Sequence, residues 1–488
     1  MQAPKTTSLD PQSAADWDAL RQQGHRMLDD IFDYMQNLRE GPVWQSAPAD
    51  VRQQFLQPLP RQGQSLEKTH ESFKQNILPY AIGNAHPGFM GWVQGGGNPV
   101  GMLAEMLAAG VNANVGGRDQ MPVEVERQIT RWMAELFEFP STATGIFVTG
   151  ASLANLIGLW VAKTKALGQD TRKLGLHEDQ RQLVAYTSAG AHACIKQAMD
   201  LAGIGTQHLR VIPMSTQFEL DCEALRTQIQ ADRAAGFTPF FLAGTAGTVD
   251  VGAIDDLSQL ADIAEEEKLW FHVDGAFGAM AILAPNIAHR LRGIQRADSI
   301  AFDFHKWLQV PYDAGFILVR NGQLHYDSFA AAAGYLRREQ RGMAAGSPWP
   351  CDFGPDLSRG FRALKTWFTI QVYGAQRLGE VIQQTCDLAQ YLKTKIEAEP
   401  NLELLAPVSL NIVCFRYRGS QSDLLNSRLA VALQESGIVA PSTNILPQGL
   451  AIRAAIVNHR TNAADIDALV STALRLGAQI VEELAASK

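Results

Sequence analysis

Between residues 14 and 39 the apolar positions Trp17, Leu20, Met27, Leu28, Ile31, Phe32, Met35 and Leu38 recur at mixed three- and four-residue spacings, which predicts a helix with one apolar face. From there to about residue 84 the periodicity fades and Pro42, Pro48, Pro58 and Pro60 intervene, so the segment 1–84 is expected to be a helical arm of the kind that wraps a second subunit. From Gly145 the pattern changes. Short apolar runs at 145–148, 183–186, 209–212, 240–243, 270–273, 299–302 and 315–319 alternate with helical patterns. Continuous apolar strands separated by helices predict an α/β fold with a mostly parallel central sheet covered on both faces, in a large domain over 85–365. Beyond that come a helical stretch, strand candidates at 411–417 and 450–454, and a terminal amphipathic helix from Asn462, which together predict a small α+β domain over 366–488.

Composition narrows the function classes. With 46% hydrophobic residues and a formal charge of -8, the chain has the makeup of a soluble globular protein, and its scattered Lys and Arg form no basic stripe for nucleic acid. The polar start and the absence of any long apolar run argue against a membrane partner, so a cytoplasmic location is expected. Five cysteines, at 194, 222, 351, 386 and 414, have neither the spacing of a metal site nor that of a disulfide framework.

In parallel sheets ligands gather at the carboxyl ends of the strands, and three candidate segments fall there. Val148-Thr-Gly150-Ala151-Ser152 joins a strand to a helix through small residues. That is a seat for a phosphate on free helix N–H groups, or simply an N-capped helix. Asp274 ends a largely apolar strand and needs a partner there, either a salt bridge or a protonated pyridine nitrogen. Lys306, 32 positions later between His305 and Trp307, is either an exposed lysine or an amine whose burial eases loss of its proton, as imine formation with an aldehyde requires. His192 follows the strand at 183–186 and is a structural residue or one that meets an aromatic cofactor. His272 is expected to pack.

Together these segments resemble the group II pyridoxal-phosphate-dependent amino-acid decarboxylases, the family of the aromatic amino-acid, glutamate and diaminobutyrate decarboxylases. The resemblance runs from about residue 70 to 465. It rests on His86-Pro-Gly-Phe89, Phe147-Val-Thr-Gly-Ala-Ser152, Ala191-His192, Thr245-Ala-Gly-Thr248, His272-Val-Asp274-Gly-Ala276, Asp303-Phe-His-Lys306-Trp307, Ser358-Arg-Gly-Phe-Arg362 and Val457-Asn-His-Arg460. It implies an aspartate-aminotransferase-type fold (fold type I), a homodimer with sites at the interface, and pyridoxal 5′-phosphate as cofactor. By the same resemblance Lys306 holds the cofactor as an imine, Asp274 pairs with its ring nitrogen, and His192 stacks on the ring and assists proton transfer. Ala151, Ser152 and His305 hold the phosphate, Thr245 and Ala276 lie near the ring, and Arg362 anchors surrounding loops.

The implied reaction is decarboxylation of an L-amino acid to its amine. Aromatic relatives protonate the product carbanion with a tyrosine on a loop, whereas residues 337–356 hold none and Tyr335 lies just upstream. The alternative is decarboxylation with oxidative deamination to an aldehyde. Asp303 stands where several relatives have asparagine, which speaks against a direct phosphate contact. For the substrate pocket, His86, Phe89 and Trp92 suit an aromatic side chain. Asn112, Asn114 and Arg118, in a region that by the resemblance contributes to substrate pockets across the dimer interface, suit an acidic or polar one such as glutamate or 2,4-diaminobutyrate.

Overall fold

A computed structural model describes residues 7–176, 181–331 and 337–486. The strands, in chain order, are β1 (Phe89–Met90), β2 (Thr144–Val148), β3 (Leu183–Ser188), β4 (Leu209–Ile212), β5 (Thr238–Thr245), β6 (Trp270–Asp274), β7 (Ser299–Asp303), β8 (Gly315–Val319), β9 (Leu402–Leu404), β10 (Ile412–Tyr417), β11 (Ala440–Leu446) and β12 (Gly449–Ala455). All seven apolar runs of the large domain are strands, and they form one sheet in the order β2-β8-β7-β6-β5-β3-β4. Its pairs are parallel except those of β8, which runs antiparallel to both β2 and β7. β7 and β8 are separated by too few residues for a crossover helix, so the chain must return antiparallel.

Both faces of this sheet are apolar because successive side chains point to opposite sides. Phe147, Val184, Tyr186, Leu242, Phe271, Val273, Ile300, Phe302, Phe316 and Leu318 belong to one core, with the helices Met121–Leu136, Cys222–Ala234 and Leu257–Glu266 on that side. Their neighbours Ile146, Val148, Ala185, Phe241, Ala243, Trp270, Ala301, Ile317 and Val319 belong to a second core, covered by the helices Ala151–Leu167 and Ala193–Leu201. The alternation carries forward along β6. His272 and Asp274 share the face of Trp270, beneath helix Ala151–Leu167.

The small sheet has the order β1-β11-β12-β10-β9, with a third core formed against helices in 362–398, 422–435 and 463–486. Its edge strand β1 comes from ahead of the large sheet and pairs parallel to β11. β11 gave no sequence signal, being polar and carrying Pro441. The proline is tolerated because the ladder to β12 starts one residue later, at Ser442. In the arm, the expected helix spans Ala14–Gln36. The proline-rich stretch after it holds two further helices, Ala49–Gln54 and Leu66–Asn76, the second capped by Ser65, whose side chain accepts from the Lys68 N–H. Among the described residues no helix is long and apolar enough to cross a membrane.

Candidate active site

The carboxyl ends of β2, β3, β5, β6 and β7 open into one cavity of about 390 Å³, lined by Ala151, Ser152, His192, Thr245, Asp274, Ala276, His305 and Lys306, with Trp92, Asp303 and Tyr312 on its walls. Eight residues that lie up to 155 positions apart in the chain thus meet in one place (306 minus 151).

Lys306 Nζ lies 2.9 Å from Asp303 Oδ2. Asp303 is almost wholly buried, and its other oxygen has no hydrogen-bond partner. Asp274 is buried too, and its Oδ1 accepts from the Ala276 N–H at 3.1 Å. Its Oδ2 accepts from Asn155 Nδ2, also at 3.1 Å. Burial pushes the Asp274 carboxyl above the usual carboxylate range, opposed by the Lys306 charge and the Ala276 N–H.

At the other end, helix Ala151–Leu167 starts at Gly150 with no side-chain cap, so the first-turn N–H groups face the cavity. β8 comes close here. A Cβ on Gly315 would stand 2.4 Å from the Gly150 Cα, so glycine at 315 is required for the turn to sit over the sheet. His305 Nδ1 accepts from the Ala314 N–H at 3.0 Å, which leaves its proton on Nε2, and burial holds the imidazole below its usual pKa. The Tyr312 ring lies against it with centroids 4.2 Å apart. His192 caps helix Ala193–Leu201, its Nδ1 accepting from the Cys194 N–H at 3.2 Å, and keeps its other nitrogen free at the cavity mouth. Thr245 Oγ1 is buried without a partner.

The residues expected to form the substrate pocket are dispersed. Trp92 lines the cavity and is about half exposed, its backbone at φ 50° two residues past the end of β1. Phe89 is buried with Val43 and Ala440 and does not line the cavity itself, its ring centroid 6.4 Å from that of Trp92. His86 Nδ1 accepts from the Gly88 N–H beneath the small sheet. Asn114 Oδ1 accepts from the Gly116 and Arg359 N–H groups, and Arg118 covers the Trp349 ring at 4.4 Å. Asn112 and Arg362 line an adjoining cavity, where Arg362 pairs with Asp313 at 2.6 Å. Tyr335 lies outside the described residues. The sequence pattern gave no role to Asn155 or Tyr312. Asn155 had one available signal, a lone amide in an otherwise apolar buried stretch of helix.

A buried carboxylate at one end, an uncapped helix start at the other, orphaned polar atoms between and an amine at the edge make a cavity complementary to an anionic heteroaromatic aldehyde. The conserved-domain model of pyridoxal-dependent decarboxylases matches residues 48–418. The chain belongs to the pyridoxal-dependent decarboxylase family. It is 31% identical over 458 residues to an aromatic-L-amino-acid decarboxylase of Bacillus atrophaeus, covering 92% of this chain and 93% of that one. A phenylacetaldehyde synthase of Petunia hybrida is 28% identical, over 95% and 94% of the two chains. The crystal structure of Catharanthus roseus tryptophan decarboxylase in complex with L-tryptophan superposes with a TM-score of 0.85 at 25% identity, covering 96% of this chain and all of that one. The expected fold type and cofactor class therefore hold. This member of the decarboxylase family is a pyridoxal-phosphate-dependent enzyme acting on amino acids.

Proposed function

We propose that this decarboxylase converts an aromatic L-amino acid to its amine and carbon dioxide, with Lys306, Asp274 and His192 as its reacting groups. The observation that carries the substrate class is the composition of the cavity wall. Trp92 and Tyr312 line it, and among the described residues no arginine does. An acidic side chain would need a cation to replace its hydration, and within one chain Arg362 is paired with Asp313 and Arg118 lies over the Trp349 ring, both outside this cavity. Aromatic walls offer a planar substrate both area and edge contacts.

When bound, pyridoxal 5′-phosphate supplies a ring that accepts the electrons released at the substrate's α-carbon. The chain's own groups do the rest. Ala151 and Ser152 at the helix start, with His305 Nε2–H, hold the phosphate. Asp274, held by the Asn155 amide and the Ala276 N–H, would keep a proton on the ring nitrogen with a charge preorganised for it. Thr245 and Ala276 would lie beside the ring, Lys306 Nζ would be the exchanging amine, and His192 would move a proton at the open side of the cavity. Arg362, through Asp313, holds the chain beside Tyr312.

A homodimer is part of the same reading. Met106, Leu107 and Val111 leave apolar side chains about half exposed on helix Pro99–Val111, and Val372 does so on the neighbouring helix, which supports a second copy as cover. Sedimentation at twice the chain mass is expected, and a monomer at micromolar concentration would count against it.

One observation favours a second reading, the oxygen-consuming aldehyde synthase: residues 337–356 contain no tyrosine to act as an acid. The test is a panel of L-tryptophan, L-tyrosine, L-phenylalanine, L-glutamate and L-2,4-diaminobutyrate, with carbon dioxide, amine and hydrogen peroxide measured together. Amine equal to carbon dioxide from an aromatic substrate is expected. Stoichiometric peroxide would establish the second reading, and turnover of glutamate alone would remove the aromatic assignment.

A further inference from the structure

Behind Asp274 a hydrogen-bonded chain runs away from the cavity into the protein. Asn155 Nδ2 donates to Asp274 Oδ2 at 3.1 Å, and Asn155 Oδ1 lies 2.7 Å from His272 Nε2. His272 Nδ1 lies 2.7 Å from Ser299 Oγ, which in turn accepts from Trp270 Nε1 at 2.8 Å. Trp270 can only donate, and an ionised Asp274 can only accept. Between those ends every role follows. The serine hydroxyl donates to His272 Nδ1, the imidazole donates from Nε2, and the asparagine amide must point its NH₂ at the carboxylate.

The surroundings are built for this arrangement. Trp270, His272 and Asp274 alternate onto one face of β6, and Ser299 of β7 is paired directly with His272 in the sheet. Helix Ala151–Leu167 crosses that face with Asn155 and, three residues on, Gly158. A Cβ on Gly158 would meet His272 Nδ1 at 2.8 Å and Ser299 Oγ at 3.2 Å, so the helix surface is cut away where the imidazole lies. The Phe241 ring stacks on the other side of His272 at 5.5 Å. Asn155, His272 and Ser299 are fully buried, and burial lowers the His272 pKa to about 3, so the ring is neutral and keeps one donor and one acceptor.

We propose that Asn155 and His272 are positioning residues for the cofactor's ring nitrogen: the chain from Trp270 through Ser299 and His272 locks the Asn155 amide so that Asp274 stays an anion aimed at that nitrogen. The inference rests on the assignment of Asp274 to the ring nitrogen made above. Helix Ala151–Leu167 then serves both ends of the cofactor, its first turn facing the phosphate and its second turn setting the charge opposite the ring. Groups hydrogen-bonded behind metal-ligating side chains carry about tenfold or greater effects on metal affinity, and a carboxylate held behind a cofactor's ring nitrogen is oriented by the same physics.

The test uses holoenzyme reconstituted with pyridoxal 5′-phosphate isotopically labelled at the ring nitrogen, whose magnetic resonance signal separates the protonated from the unprotonated ring. In Asn155→Ala the signal is expected to move toward the unprotonated position, and cofactor affinity to fall by about tenfold or more. His272→Phe is expected to shift both in the same direction by less. Ser299→Ala, the mildest interruption, keeps the test alive if Asn155→Ala does not fold, and the same direction of shift is required of it. Unchanged signals, with affinity within about twofold, in folded relay variants would overturn the proposal. Asp274→Asn is the benchmark. If it moves the signal and the relay variants do not, only this inference fails. If it leaves the signal unmoved, the Asp274 assignment falls and takes the inference with it.

Discussion

Lys306 Nζ and Asp303 Oδ2 form an ion pair 2.9 Å long whose carboxylate is 2% exposed and whose ammonium is 22% exposed. The acid is therefore held in the interior by the same amine that is proposed to bind the cofactor, so chemistry and stability can be separated at this pair.

Lys306→Ala is expected to abolish both turnover and the visible imine absorption, and also to destabilise the apoprotein by about 2–3 kcal/mol by leaving Asp303 buried without a counter-charge. Adding Asp303→Asn to that variant should recover much of the thermal stability and none of the absorption. Persistence of the absorption in Lys306→Ala would show that another lysine holds the cofactor.

Gly158→Ala should act against helix propensity. In an exposed helix the change gains about 1 kcal/mol. Here the new Cβ would sit 2.8 Å from His272 Nδ1, and overpacking costs about 1–3 kcal/mol. A lowered unfolding midpoint with weakened cofactor binding is expected, and a raised midpoint would mean the helix moves away without cost.

Arg359 and Glu126 are both buried and paired. Arg359 also donates to the Val115 and Phe147 carbonyls, and Glu126 accepts from the Phe147 N–H, which ties two loops to β2 just before the phosphate turn. A lysine cannot reproduce that fork. Arg359→Lys is expected to cost about 1–3 kcal/mol and to weaken cofactor binding, both measurable by thermal unfolding with and without added pyridoxal 5′-phosphate. Equal cofactor-induced stabilisation in variant and parent would limit the pair to folding.

Acid should destabilise the apoprotein through its buried neutral histidines. Burial lowers His272 and His325 to about 3 and His459 to about 4. Their folded pKa values lie below the unfolded one, so the unfolded chain binds more protons as pH falls below about 6.5, and stability drops by up to about 1.4 kcal/mol per pH unit for each residue until the folded pKa is reached. Urea unfolding at pH 7 and pH 5 tests this. His325, whose Nδ1 meets Thr144 Oγ1 at 2.9 Å far from the cofactor site, is the residue to vary. His325→Gln should lose about 2 kcal/mol less than the parent between the two pH values. An identical loss would show that His325 does not titrate on unfolding.

Much of this enzyme was already written in one dimension. The seven apolar runs mark the large sheet because a strand buried on both faces is apolar throughout. Asp274 stands out because a charged residue closing such a run needs a partner, and Lys306 because it follows another run within a His-Lys-Trp motif. Motifs of this kind are local in the chain, and local spacing survives folding unchanged.

What the sequence could not supply was direction across the sheet and distance through it. The antiparallel insertion of β8, the recruitment of β1 into the small sheet, and the positions of Asn114, Arg118 and Phe89 outside the cavity lining of the single chain all depend on which segments pack together. Packing is settled by the summed burial of distant surfaces, to which no single stretch of residues holds the key. The link from Asn155 to His272 and Asp274 is of the same kind. It spans well over a hundred positions in sequence and under 4 Å in space, and only the helix lying across β6 brings its members within hydrogen-bonding reach.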